Sequence, residues 1–226
     1  MNGASIVWQF GPFGITTTVL TTWALMAALT FASWAVTRRL SIDPGRWQST
    51  LEGIVLTMQD AIEAILPGRS LELLPFIGTL WLYLVCANLV GVIPELHSPT
   101  TELSVTAGLA LLVFFASHWF GIRSDGLVPY LRHYLSPSIV LLPFNLISEL
   151  TRTLALAIRL FGNMMSLELA ALLVLLVAGL LVPVPLLLLH IVEALVQAYI
   201  FGMLALMYIA SGLQVKQERG QMPHPT

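Results

Sequence analysis

Arg159 lies inside an otherwise almost wholly apolar stretch, residues 153–181, in the string Leu156-Ala157-Ile158-Arg159-Leu160-Phe161-Gly162-Asn163. An arginine at the centre of a membrane helix costs roughly 2.5–3.5 kcal/mol on insertion scales. Its guanidinium cannot escape by losing a proton, because its pKa lies above about 12. No acid stands three or four residues away on the same helix, so its partner must come from another helix or another chain. Taking Arg159 as zero and about 100° per residue, Asn145, Ser148, Arg152, Asn163 and Ser166 fall within about 40° of it. Ala155 and Gly162 border this strip. A continuous polar and small-residue face of this kind is made for protein or water, not lipid.

Glu149 lies at the edge of the strip, about 80° away, whereas Glu168 lies on the opposite side of the helix. A second set follows downstream: His190 and Gln197 are seven apart on one helical face, and Glu193, three past His190, can line the same groove. Singly, Glu149, Glu168, His190 and Glu193 would read as satisfied packing elements. Four titratable groups in two consecutive apolar segments favour a hydrated proton or ion path. Asn163 and Gln197 have two readings, a hydrogen bond across a helix pair or a role in positioning Arg159. Arg152, three past Glu149, reads as a structural ion-pair partner near the membrane interface.

The elements that must hold these residues are membrane helices. Hydrophobic residues make up 57% of the 226 positions and charged ones 10%, with a mean hydropathy of +0.86, which excludes a soluble domain. The ten Lys and Arg are scattered along the chain and not clustered into a basic face, so there is no nucleic-acid footprint. Cys86 is the only cysteine, which excludes an internal disulfide and any cysteine-based metal or redox motif. It reads as a small packing residue.

About 20 apolar residues cross a bilayer. The apolar runs predict a single membrane domain over 1–226, with a first span at 13–37, a helical hairpin at 72–121 and a long helix pair at 138–212. The first run is too long for a signal-peptide core, and no Lys or Arg precedes it, so it is a retained span. Residues 47–66 differ. Trp47, Leu51, Ile54, Val55, Met58 and Ile62 recur at helical spacing, opposite Glu52, Gln59, Asp60 and Glu63, which predicts an amphipathic surface helix stopped by Pro67-Gly68. Its acidic polar face argues against attraction to anionic lipid and for a partner helix.

Basic residues fix the expected orientation. Arg38, Arg39, Arg46, Arg69, Arg123, Arg132, Lys216 and Arg219 all fall on one side of a five-span arrangement, whereas the segments 1–12, 94–102 and 182–185 hold no Lys or Arg. The N-terminus is then outside and the C-terminus cytoplasmic.

The motifs themselves resemble a known family. Arg159-Leu160-Phe161-Gly162-Asn163-Met164, with Glu168 nine residues on, and His190 seven before Gln197-Ala198-Tyr199-Ile200-Phe201, closely resemble subunit a of the F-type ATP synthases. Asn88-Leu89-Val90-Gly91-Val92-Ile93-Pro94, Thr101-Glu102-Leu103-Ser104-Val105-Thr106 and Leu142-Pro143-Phe144-Asn145-Leu146-Ile147-Ser148-Glu149 extend the likeness over about residues 40–212. Glu193 and Arg152 depart from the family's pattern.

The resemblance implies an all-α polytopic membrane protein with about five embedded helices and one surface helix, the last two long and tilted against a rotor ring of c subunits. It implies a stator that couples proton or sodium movement to ring rotation, with a b-subunit peripheral stalk and the other Fo and F1 subunits as partners. Arg159 would face the ion-binding carboxylate of each passing c subunit. Glu168, His190 and Glu193 would serve an outer half-path; Glu149, Ser148 and Asn145 would serve an inner one. No cofactor or metal is implied. The sequence has no Gly-rich phosphate loop, in keeping with a non-catalytic subunit. Lack of a transit segment points to a bacterial inner membrane. Two rival readings are a secondary transporter in which Arg159 binds an anionic solute, and a scaffold whose polar groups merely lock helices.

Overall fold

The computed structural model describes residues 6–10, 13–38, 45–93, 98–126, 142–178 and 183–213. Strands β1 (Ile6–Phe10) and β2 (Phe13–Thr16) pair antiparallel, Ile6 opposite Thr16 and Phe10 opposite Phe13. Residues 13–16, expected to open the first span, are therefore strand. Gly14, Ile15 and Thr16 are poor helix formers, and the β-branched pair suits a ladder.

Six α-helices follow among the described residues: α1 (Thr17–Thr37), α2 (Arg46–Ile65), α3 (Ser70–Val90), α4 (Leu103–Asp125), α5 (Leu142–Ala178) and α6 (Pro183–Leu213). All except α2 are long and apolar enough to cross a membrane. Apart from the short β1–β2 pair, the described residues make the helical fold of a polytopic membrane protein. Of the basic loop residues, Arg39, Arg132, Lys216 and Arg219 lie outside the described residues, as do 138–141 at the start of the expected long pair.

Helix α2 is amphipathic. Its C-terminal half packs Ile62 and Met58 onto α3, while Trp47, Leu51, Ile54 and Val55 remain exposed. The expected stop at Pro67-Gly68 is a turn in which Gly68 has φ +78°, a conformation glycine adopts at no steric cost. The Gly68 N–H donates to Glu63 Oε1 at 2.6 Å. Hydrogen bonds from the Ser70 hydroxyl and from this N–H hold the Glu63 carboxyl below its usual range. Arg69 Nη2 donates to Ser124 Oγ at 2.8 Å and ties the turn to the end of α4.

Helix α6 starts on Pro183, a residue suited to a first helical position, where an N–H would have no partner anyway. Its buried stripe, Ala194, Ala198, Phe201, Ala205, Ile209 and Leu213, keeps the helical period and is rich in small side chains. That lets α3, α4 and α5 all pack against it. In α5 the buried stripe is Thr153, Leu156, Leu160 and Met164. The 37 residues of α5 would reach about 55 Å, far more than the roughly 30 Å of hydrocarbon in a bilayer.

Candidate ion path

The buried stripe of α5 leaves a second face uncovered. Arg159 is exposed, as are Asn145, Ser148, Arg152 and Ser166 along the strip that the helical spacing defined. Among the described residues Arg159 makes no hydrogen bond and no ion pair. Its charge is therefore offered outward from the chain.

Asn163 departs from the strip. It is half-buried and turns toward α6, where its Nδ2 donates to Gln197 Oε1 at 2.7 Å. This is the cross-helix hydrogen bond of the first reading, and it also fixes Gln197 on the α6 turn facing α5. Gln197 is 2% exposed, and its Nε2 has no partner among the described residues. About two turns nearer the start of α6, His190 is 4% exposed, with Nε2 likewise unpartnered among the described residues. Buried donors and acceptors without partners are costly, on the order of 1–3 kcal/mol each, unless water reaches them. Two such groups lie on one helical face, where water could satisfy them.

Glu168 of α5 and Glu193 of α6 are half-buried, and both act electrostatically on the His190 ring. The structure thus brings together Glu168, His190, Glu193, Asn163 and Gln197, contributed by two helices. A third element joins them. A Cβ on Gly91, at the end of α3, would lie 3.4 Å from His190 Cε1, so the ring rests close to this glycine. Next to it Asn88 Nδ2 donates to the Ala194 carbonyl at 3.3 Å, and Thr100 Oγ1 donates to Asn88 Oδ1 at 2.8 Å. The two bonds pin the hairpin of α3 and α4 to α6. Asn88 and Thr100 were not among the sequence candidates, although a polar Asn88 in an apolar span signals a partner by the same argument as Asn163.

At the other end of α5 a second cluster forms. Glu149 turns away from Asn145 and Ser148 and meets α4, with Oε1 3.5 Å from His118 Nε2. Tyr208 Oη of α6 donates to the Arg152 carbonyl at 3.4 Å. Ser117, Glu149, Arg152, Thr153, Tyr208 and Ser211 line a cavity of about 20 Å³, room for one water. His118 was missed in the sequence, yet a lone titratable residue inside residues 103–121 was the available sign. The exposed Arg152 side chain forms no ion pair with Glu149 among the described residues, contrary to the expected i, i+3 pairing. Glu149 is turned to α4 instead.

Arg159 is seven residues from Arg152 and four from Asn163, so it stands between the two clusters along α5. Comparison with known proteins decides the family. The family described as ATP synthase A chain matches residues 19–210.

The chain belongs to the ATP synthase A chain family.

The ATP synthase subunit a 2 of Pelobacter propionicus is 61% identical over 213 residues, covering 94% of this chain and 93% of that protein. The ATP synthase subunit a 1 of Hahella chejuensis is 62% identical over 213 residues, with 94% and 91% covered. The ATP synthase subunit a of Legionella pneumophila (strain Corby) is 52% identical over 219 residues, with 96% and 95% covered. As a member of this family, the chain is part of the ion-translocating membrane sector and not a catalytic subunit.

Proposed function

We propose that this chain forms two offset half-paths for the coupling ion, separated by Arg159, and that Arg159 meets the ion-binding carboxylate of each c subunit as the rotor ring turns past α5. The observation that carries the reading is the exposed Arg159, unpaired among the described residues, between two polar clusters. In a low-dielectric interface a cation favours the ionised carboxylate, so the rotor site gives up its ion before it passes. The same charge repels a cation that would run directly from one half-path to the other. Movement of the ring is then the route that remains, and each charge crossing about 100 mV supplies roughly 2.3 kcal/mol toward rotation.

Glu168, His190 and Glu193, with the Asn163–Gln197 pair, serve the outer half-path. Glu149, Ser148 and Asn145 serve the inner one. The distribution of Arg38, Arg46, Arg69 and Arg123 supports an N-terminus outside and a C-terminus in the cytoplasm of a bacterial inner membrane. The c ring and the b-subunit stalk are the expected partners, and the length of α5 suits a helix tilted across the ring.

Side-specific labelling tests the two half-paths. In a Cys86→Ala background, Glu193→Cys and Ser148→Cys are placed singly in the whole complex and probed with a membrane-impermeant thiol reagent from each face. The first should react from outside and the second from the cytoplasmic side. Reaction of both from the same face would remove the offset.

A further inference from the structure

We infer that His118 and Glu149 together hold one exchangeable proton, forming a loading station on the inner half-path; this rests on the half-path reading above. The tautomer follows from the contacts of the ring. His118 Nδ1 lies 2.8 Å from the Phe114 carbonyl oxygen, one helical turn back on α4. A carbonyl only accepts, so Nδ1 carries a hydrogen, and in the neutral ring Nε2 presents a lone pair. That lone pair faces Glu149 Oε1 at 3.5 Å. Two acceptors turned on one another are favourable only when a proton is bound to one of them. The protonated pair has it on Nε2, as imidazolium beside carboxylate, or on the Glu149 carboxyl.

Loss of that proton to water on the inner side leaves a neutral imidazole with Nδ1–H and an ionised Glu149. Uptake from water restores the starting state, so one proton enters and one leaves with no other bond changed. A single water in the adjoining 20 Å³ cavity, beside Ser117, Arg152 and Thr153, would carry the proton between pair and path. Both side chains are about a quarter exposed, 26% for His118 and 23% for Glu149, so the pair is neither sealed in the core nor open surface. Among the described residues that line the adjoining cavity, the charged and titratable groups are Glu149 and Arg152 from α5 and Tyr208 from α6, with Ser117 neighbouring on α4. The backbone bond to Phe114 keeps the ring aimed at Glu149 across the α4–α5 contact.

The test uses the whole ATP synthase in proteoliposomes, with ATP-driven proton pumping followed as the pH of the face bearing the inner path is varied. Wild type is the reference at each pH. His118→Gln can accept or donate hydrogen bonds but cannot take up a proton. It should slow pumping about three- to tenfold per assembled complex and shift the dependence on inner-face pH, with outer-face pH dependence unchanged. Glu149→Gln should do the same, and the double variant should be no slower than the slower single one, because one site is lost in each case. His118→Asn serves as second variant should the first fail to assemble. A wild-type rate and pH profile in either His118 variant, or additive losses in the double variant, would overturn the proposal. Pumping that carries sodium and shows no pH step at His118 overturns it too while leaving Arg159 as the coupling charge. Coupled pumping by Arg159→Ala would instead count against the half-path reading itself.

Discussion

Gly202→Ala adds one methyl group and should disrupt the packing that sets α6 in place. A Cβ at this position would lie 1.8 Å from Trp81 Nε1, 2.3 Å from Cδ1 and 2.6 Å from Cε2. Non-bonded heavy atoms rest at about 3.5–4.0 Å, so roughly 1.7 Å of separation must be found. Trp81 cannot supply it cheaply. Its ring is 4% exposed, it donates from Nε1 to the Tyr199 carbonyl at 3.3 Å, and it stacks on the Tyr199 ring with centroids 6.1 Å apart. The displacement therefore falls on the α3–α6 contact, which also holds Gln197 and His190 at their depth. Overpacking a filled core costs about 1–3 kcal/mol, and a rigid buried indole places this case near the upper figure. About 3 kcal/mol is roughly a hundredfold change in an equilibrium constant. The assay is the fraction of intact complex left after graded heating in detergent, together with pumping per surviving complex. Gly202→Ala should lower both, and Trp81→Leu in the same chain should restore part of the heat resistance by vacating the space. A Gly202→Ala complex as heat-resistant and as active as wild type would refute the packing argument.

Two further outcomes concern the site and its supports. Glu168→Gln and His190→Leu should each slow coupled transport in proteoliposomes without opening a passive leak, because each is one of several polar stations; two silent variants would place the outer path elsewhere. The Glu63 carboxyl is held below its usual range by Ser70 and Gly68, so its contribution to stability is present above about pH 4.3 and is lost as pH falls through the lower folded value. Heat resistance of the complex should therefore differ between wild type and Glu63→Gln at neutral pH, and the difference should vanish as pH falls through the lowered value; a difference unchanged by acidification would contradict the hydrogen-bonded turn.

Much of this arrangement was legible in the chain because it depends on one helix at a time. The strip containing Arg159, Asn145, Ser148, Arg152 and Ser166 follows from 3.6 residues per turn, and all five side chains are exposed together. The facing of His190 and Gln197 follows from their spacing of seven, and both are buried on the same stripe. What depends on how helices meet was not legible. Glu149 could be placed at the edge of a strip, but its choice of His118 over Arg152 is decided by the α4–α5 contact. Asn163 belongs by angle to the Arg159 strip and by hydrogen bond to α6, because a short side chain at the border of two faces turns to the partner it can reach. At the other end of the chain, hydropathy ran through residues 13–16 without a break, while Gly14 and the β-branched Ile15 and Thr16 delayed the helix to Thr17.

The most direct measurement is ATP-driven pumping by assembled complexes carrying Arg159→Ala. At about 4 Å and an effective dielectric constant near 20, removing the guanidinium forfeits about 4 kcal/mol of attraction for a rotor carboxylate, close to three pK units. Assembly should survive, since Arg159 has no partner among the described residues of its own chain, and coupled transport should disappear. Pumping at the wild-type rate would contradict the role given to Arg159.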